Sequence, residues 1–350
     1  MARYSGALVT LAWVTAACES AEPPHVLAFY YGWYGTPEHS GGWRHWNDAG
    51  HDPENILAGG LRDIAAAHYP QYGVYDSLHP ALIDRHLADA EAAGLTGLVV
   101  SWWGPAGFED RALEALLDRI EARASPLKVA VYYEQVPDHD PARAIIEIAY
   151  LREHYFARSS YLRSGGAPVL LVYGRAILPG VFCLFEACSD EVPPQIDWGG
   201  ILKASRAGGP ISAWGDVISQ DFFPEHARIL ADMGFTGVHA YNPHVEVSLG
   251  LDMQEVYDDL VASARHAGAS VALTLIPGYD DTALTRPFTS QIARDGTALY
   301  ERLWDAALRA APDLYLVTTF NEWHEGTEIE ASREHGAAFI GLTADRAAAR

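Results

Sequence analysis

The chain alternates apolar, strand-like runs with Ala-rich amphipathic helices, and this repeat constrains its fold more than any other feature. Strand–helix alternation implies parallel βαβ units. Seven clear strands are predicted, with an ill-defined eighth near Gly200–Ser219; the seven are Val26–Trp33, Gly97–Trp102, Lys128–Tyr133, Pro168–Tyr173, Gly237–Tyr241, Ser270–Ile276 and Leu314–Phe320. Helical periodicity marks the segments between them, namely Leu82–Ala93, Arg111–Ala124, Ala142–Phe156, Glu225–Met233, Met253–Ala267 and Thr297–Ala310.

This pattern predicts an α/β protein built as a single (β/α)8 TIM barrel with extended βα loops, covering residues 26–345. A doubly wound sheet is the alternative, but no Gly-rich phosphate fingerprint follows the first strand. No Ser/Gly linker or charge block marks a second domain. Apolar residues make up 49% of the chain, which is enough to bury one large core.

The first 18 residues are predicted to be a signal peptide. Their apolar stretch is shorter than the about 20 residues that a permanent membrane-spanning helix needs. Thr15-Ala16-Ala17-Cys18 resembles a bacterial lipoprotein processing site, although Thr15 stands where Leu is usual. We therefore expect an exported lipoprotein, lipidated on Cys18, with residues 19–25 as a tether on the periplasmic or cell-surface face of a membrane. An ordinary signal peptide or a misassigned start is the alternative.

The other two cysteines, Cys183 and Cys188, lie five residues apart. In an oxidising compartment this spacing allows a disulfide that closes a small loop. Two free buried thiols are the alternative. A zinc site is not indicated, because no His or further Cys lies nearby.

The charge balance restricts the possible partners. The chain has 46 acidic against 24 basic residues, a net charge of −22. Nucleic acids and anionic lipids are bound through clustered Lys and Arg, so this balance argues against both. An acidic chain rich in Trp and Tyr suits a neutral, hydroxyl-rich ligand. We expect a monomer.

Aromatic and carboxylate residues recur where the predicted strands end. In a barrel, the functional groups project from the C-terminal ends of the strands. Those ends are Tyr30–Tyr34, Ser101–Trp103, Tyr132–Gln135, Tyr173–Arg175, His239–Asn242, Pro277–Asp281 and Asn321–Glu325. One such Trp usually fills a core, and one such Glu usually lies in solvent. Their recurrence at seven strand ends instead indicates a sugar site, where rings stack and hydroxyls are hydrogen-bonded.

The last strand end carries four carboxylates within the nine residues 322–330. Glycosidic cleavage needs a proton donor and a second carboxylate. Glu322 and Glu325 are the candidates, with Trp323 turned away between them. The alternative is a helix N-terminus enriched in acids that favour its dipole.

The run FNEWHEGTEIE resembles the signature of glycoside hydrolase family 99, the endo-acting α-mannosidases and mannanases. Other segments agree with that family in order: YYGWYGTP with His45-Trp46-Asn47, HPALIDRHLADAEAAGLTGLVVSWW, GFTGVHAY, and IPGYDDT with Arg286-Pro287. Three segments depart from it. Ala176–Ser219 matches no familiar pattern, the third strand ends in YYEQ in place of a His-containing version, and the sixth ends in HAYNP.

The resemblance implies roles for individual residues. Glu325 is implied as general acid/base, with its pKa raised so that it can donate a proton, and Glu322 as the ionised base that acts on the sugar 2-hydroxyl. O2 would then attack C1 and form a 1,2-anhydro sugar, which water opens with net retention. The residues implied as substrate contacts are Tyr34, His45, Trp46, Trp102, Glu134, Tyr241, Tyr279 and Asn321.

The sequence thus predicts a retaining endo-α-mannosidase that acts on α-mannose-containing oligo- or polysaccharides. His45 and His324 suggest metal ligands, but without an HxH or HExxH spacing we predict no metal and no cofactor. One alternative is a barrel glycosidase for another α-glycan, such as an α-glucan. Another is a non-catalytic glycan-binding lipoprotein, which we would expect to lack Glu322 or Glu325.

Overall fold

The computed structural model describes residues 23–182, 195–217, 223–286 and 289–350. In these residues eight parallel strands form a closed barrel: β1 His25–Tyr30, β2 Gly97–Trp102, β3 Lys128–Tyr133, β4 Ala167–Val172, β5 Ser212–Asp216, β6 Gly237–His239, β7 Ser270–Leu275 and β8 Leu314–Val317. Each strand pairs with the next, and β8 pairs with β1 to close the ring. The predicted barrel is confirmed, and β5 is its ill-defined eighth strand.

One long helix follows each strand: α1 Pro80–Ala92, α2 Phe108–Ala122, α3 Pro141–His154, α4 Trp198–Ser205, α5 Phe223–Asp232, α6 Met253–His266, α7 Ala298–Ala310 and α8 Ala338–Ala347. Side-chain caps start several of them. Asp140 accepts a hydrogen bond from the Ala142 N–H ahead of α3, and Asp252 does the same for Gln254 ahead of α6. None of the helices in the described ranges is long and apolar enough to cross a membrane.

The strands alternate between two core layers. In β1, Leu27 and Phe29 belong to the barrel interior, whereas Val26 and Ala28 pack against the helices outside. A strand turns successive side chains to opposite faces, so this alternation decides which strand-end residues reach the barrel mouth.

Long connections extend the C-terminal end of the barrel. The β1–α1 connection contains the short helix Pro37–Ser40 and the 3-10 turn Asp48–Gly50. The β7–α7 connection contains a small hairpin of Tyr279–Asp280 with Gln291–Ile292. These are the predicted extended loops. Cys18, Cys183 and Cys188, and with them the predicted signal peptide and disulfide, lie outside the described residues.

Candidate active site

The segment that follows β8, residues 318–330, is called the β8 loop here, and it carries both candidate carboxylates. Backbone hydrogen bonds fold it back on itself. The Ile329 N–H donates to the Thr319 carbonyl at 2.9 Å, and the Glu330 N–H donates to the Phe320 carbonyl at 2.8 Å. Glu322 and Glu325 lie in the turn between these paired segments, at the C-terminal end of the barrel.

Glu322 is the buried member of the pair, with 2% of its surface exposed. Its Oε1 accepts a hydrogen bond from the His324 N–H at 2.9 Å. Burial raises the pKa of Glu322 well above its usual range, and the negative charge of Glu325 acts in the same direction. Arg286 opposes this shift only in part.

Glu325 is more open, with 18% of its side chain exposed. Its Oε1 lies 3.4 Å from Nη1 of Arg286, and its Oε2 accepts from the Tyr241 hydroxyl at 3.5 Å. Of the two residues, it is Glu322, the implied base, whose pKa burial raises, because the loop removes this side chain from water.

A further carboxyl, Glu134, directly follows β3 and points into the barrel mouth. Its Oε1 accepts from the Ser101 hydroxyl at 2.6 Å, and Trp103 Nε1 donates to that same hydroxyl oxygen at 3.0 Å. Burial raises the pKa of Glu134 to about 8. At neutral pH this carboxyl is therefore mainly protonated and has a hydrogen to donate.

Asp216, at the end of β5, is a site residue that the sequence analysis missed. Its two oxygens accept from the Tyr241 N–H at 2.9 Å and from the Gly174 N–H at 3.0 Å, so it joins three strand ends. Burial raises its pKa to about 7. An acid two residues after the run ISAW was the available signal, but the strand itself was ill-defined in the sequence.

Tyrosines form the wall beside Glu325. Tyr31 and Tyr241 share a hydrogen bond of 2.6 Å between their hydroxyls, and the Tyr132 and Tyr241 rings stack with centroids 5.7 Å apart. Nη1 of Arg286, which contacts Glu325, also donates to the Tyr279 hydroxyl at 3.2 Å. The predicted contacts Tyr241 and Tyr279 are thus brought together with Glu325.

Tyr34, Trp46 and Asn321 are fully buried and support the site from behind. The Tyr34 hydroxyl accepts from the Trp323 N–H at 3.0 Å, and the Tyr34 ring stacks on Trp46 with centroids 4.2 Å apart. The Asn321 amide bonds to both main-chain groups of Tyr31, at 2.8 and 2.9 Å. Their polar groups hold loops together, so these residues support the site here, and their contact with substrate stays a prediction.

Trp102, another predicted contact, lies outside the barrel interior. It is 1% exposed, and its Nε1 donates to Asp110 Oδ1 at 2.8 Å within the layer between β2 and its helices. Because side chains alternate along β2, Ser101 takes the inward position and Trp102 the outward one.

His45 and His324 join the β1–α1 connection to the β8 loop. The His45 ring stacks on Trp33 at 4.4 Å, and His324 Nε2 lies 2.6 Å from the His45 carbonyl oxygen. With Asp48, the two rings offer ligand atoms within 4.8 Å of one another. Nε2 must carry hydrogen to bond that carbonyl, however, so it has no lone pair for a metal. Burial lowers the pKa of His324 to about 4, which leaves the ring neutral.

Comparison with known proteins gives a consistent result. The family model described as "Glycosyl hydrolase family 99" matches residues 22–184 and 207–339. The mouse "Glycoprotein endo-alpha-1,2-mannosidase" is 27% identical over 332 residues, which cover 87% of this chain and 67% of that protein. A zebrafish "Glycoprotein endo-alpha-1,2-mannosidase-like protein" is 28% identical, with 86% and 70% covered.

A solved structure shares the fold. The GH99 endo-alpha-mannosidase from Bacteroides thetaiotaomicron superposes with a TM-score of 0.72 at 22% identity, covering 93% of this chain and 97% of that one. At this level of identity the similarity bears on the architecture alone.

Proposed function

Because the chain belongs to glycosyl hydrolase family 99, and is therefore a glycoside hydrolase, we propose that it is an endo-acting α-mannosidase. Its substrates would be the internal α-mannosidic linkages of mannose-containing glycans, in line with the names of its relatives. The observation that carries the proposal is the pair on the β8 loop: a buried Glu322 and a solvent-reached Glu325 beside a wall of tyrosines.

In the first step, protonated Glu325 gives its proton to the glycosidic oxygen as the bond from that oxygen to C1 breaks. The bond's electron pair stays on the departing oxygen. Ionised Glu322 takes the proton from the sugar 2-hydroxyl, and O2 forms a bond to C1. The product is a 1,2-anhydro sugar, with Glu322 protonated and Glu325 ionised.

In the second step, water attacks C1 and the C1–O2 bond breaks. Glu325 takes a proton from the water, and Glu322 returns its proton to O2. Two inversions at C1 give net retention, and both carboxyls regain their starting protonation states.

The electrostatics of the site favour Glu322 as a strong base. Burial raises the pKa of Glu322, so its ionised form has a high affinity for the proton of a sugar hydroxyl.

Stereochemistry favours mannose over glucose. In an α-mannoside the axial 2-hydroxyl lies anti to the axial leaving group, in line for attack on C1. The equatorial 2-hydroxyl of glucose does not reach the back face of C1. An α-glucan would therefore need Glu322 to attack directly or through water.

The proposal is tested by incubating the protein with α-1,2-, α-1,3- and α-1,6-linked mannan fragments and following the products by NMR. We expect cleavage at internal linkages, with the α anomer formed first. Length-matched α-glucan fragments are the control and should not be cleaved. A β anomer formed first would refute the two-step mechanism. Release of single terminal sugars, or equal cleavage of the glucans, would refute the proposed specificity.

A further inference from the structure

A buried arginine from another part of the chain holds the backbone next to Glu325. Arg294 lies between β7 and α7 and is 6% exposed. Its Nη2 donates to the Gly326 carbonyl at 3.0 Å and to Glu328 Oε1 at 2.6 Å. One guanidinium therefore holds both a main-chain group and a side chain of the β8 loop.

Glu328, the partner of Arg294, is fully buried and contacts a second basic group. His68 Nδ1 lies 2.9 Å from the same oxygen of Glu328. Burial alone would raise the pKa of Glu328, but Arg294 and His68 outweigh it and hold that pKa below its ordinary value. The Arg294–Glu328 contact is therefore a buried ion pair, in which removing one partner leaves an uncompensated charge.

The neighbouring peptide is held from the same side. The Glu325 carbonyl accepts from the Asp280 N–H at 2.7 Å, so two consecutive carbonyls, those of Glu325 and Gly326, are bound to the β7–α7 connection. By contrast, the side-chain contacts of Glu325 are long, at 3.4 and 3.5 Å. The place of its carboxyl group is therefore set mainly by its backbone.

We propose that Arg294, paired with Glu328, is a positioning residue that sets the Glu325 carboxyl in place for proton transfer. The inference rests on the proposed function, in which Glu325 protonates the leaving oxygen. Arg294 contacts none of the reacting groups, and acts through the Gly326 carbonyl and the Glu328 side chain, which fix the backbone next to Glu325.

Displacement of the Glu325 carboxyl should have a specific kinetic effect. A misplaced acid harms the cleavage of a bond whose leaving group needs a proton, but it hardly affects a leaving group that departs without one. Fluoride is such a group. Because kcat/KM reports the first irreversible step, the later use of Glu325 as a base does not obscure the comparison.

The experiment compares kcat/KM of wild type and Arg294→Met on a mannan fragment and on the α-fluoride of the same upstream sugar chain. We expect a loss on the order of 100-fold with the fragment, the size that a displacement of about 1 Å can cause. With the fluoride we expect a loss of less than about 3-fold, because that step does not depend on the acid. Arg294→Lys keeps the cation and should give a smaller loss with the same dependence on leaving group.

Arg152→Met is the matched control. Arg152 also donates through Nη2 to two carbonyls, those of Ser205 at 3.1 Å and Gly209 at 3.0 Å, but far along the chain from the β8 loop. Its loss should change kcat/KM equally, and little, for both substrates.

Equal losses of Arg294→Met on the two substrates, or no loss, would overturn the proposal. Thermal unfolding shows whether Arg294→Met folds. If it does not, the kcat/KM losses on the fragment and on the fluoride are compared for Arg294→Lys instead. Failure of the proposed function is a separate result: it would appear as an inactive wild type, or as an active Glu325→Gln variant.

Discussion

Individual carboxyl groups at the barrel mouth differ mainly in their access to water. Glu322, Glu134 and Asp216 are buried, and burial is the largest cause that raises the pKa of each. Glu325 alone among these four keeps a substantial exposed fraction. The site therefore surrounds one solvent-reached carboxyl with three buried acids whose pKa values are raised.

Replacing Glu134 by Gln should raise the free energy of unfolding above that of wild type, and this difference should grow as pH rises. The folded-state pKa of about 8 lies above the ordinary value of 4.5, so folding takes up a proton between these values and stability is lost as pH rises through that window. Gln mimics the neutral acid and removes this loss. We expect similar stabilities at pH 5 and a gain for Glu134→Gln at pH 9, at most about 5 kcal/mol.

Denaturant unfolding at pH 5 and pH 9 measures this difference. Glu114→Gln, on the exposed face of α2, controls for the loss of one negative charge. A Glu134→Gln variant that loses stability relative to wild type between pH 5 and pH 9 would contradict the account.

The direction in which a strand-end side chain points could not be predicted from the sequence. The strand-end rule expected Glu134, Tyr241, Tyr279 and the two catalytic candidates at the barrel mouth, where they lie, because it depends only on position along the chain. It cannot tell which of two adjacent residues faces inward, and Trp102, which the resemblance implied as a contact, faces outward. Arg294 escaped notice because its partners, Gly326 and Glu328, are 32 and 34 residues away.

At the level of secondary-structure elements, the β8 loop packs closely against the β7–α7 connection. Gly326 has a φ of +57°, and a Cβ there would lie 2.9 Å from the Asp280 carbonyl oxygen. Both the conformation and the lack of space require glycine at this position.

Gly326→Ala should therefore lower kcat/KM as well as the free energy of unfolding. The left-handed backbone costs about 1–2 kcal/mol for any side chain. The collision with Asp280 adds a displacement of Glu325, for which we expect at least about a 10-fold loss in kcat/KM. Gly336→Ala is the control, because Gly336 has the same φ of +57° with nothing within 4 Å of its Cβ position.

Kinetics and thermal unfolding of both variants give the answer. A loss of activity in Gly326→Ala only, with a stability loss at least as large as that of Gly336→Ala, would support the account. Wild-type kcat/KM in a folded Gly326→Ala would contradict the dependence of Glu325 on this contact.

The strands were predicted in the right places: Gly97–Trp102 and Lys128–Tyr133 match the structure, and the other five were predicted too long at their C-terminal ends. Val26–Trp33 was expected, and β1 is His25–Tyr30; Leu314–Phe320 was expected, and β8 is Leu314–Val317. Residues beyond these ends, such as Tyr31 and Phe320, stay buried in loops. An apolar pattern reports burial, so it cannot show where the ladder of hydrogen bonds stops.

For the whole molecule, the alternation of strands and helices was sufficient to predict the closed barrel, whereas net charge was a poor guide to function. The surplus of acids agrees with a neutral ligand but does not identify one. The helical stretches Asp84–Glu91 and Asp252–Asp259 contribute several exposed acids. Two glutamates on one loop carry the functional argument.

We propose that the whole chain is exported and lipidated on Cys18. Expressed in a bacterium that processes lipoproteins, the protein should incorporate a labelled fatty acid, and Cys18→Ser should remove the label because the thiol that receives the lipid is gone. Label that persists in Cys18→Ser, or a wild type that never acquires it, would refute the anchor.

The central claim is that Glu322 and Glu325 together cleave the glycosidic bond, and their Gln variants test it most directly. The measurement is kcat/KM of each variant against wild type on the mannan fragment that wild type cleaves fastest, with thermal unfolding measured alongside. Gln replaces a carboxyl with a neutral group of the same shape, so both variants should fold. We predict a loss of at least about 100-fold in each, the lower range for a general acid or base. Near-wild-type kcat/KM in either folded variant would contradict the account.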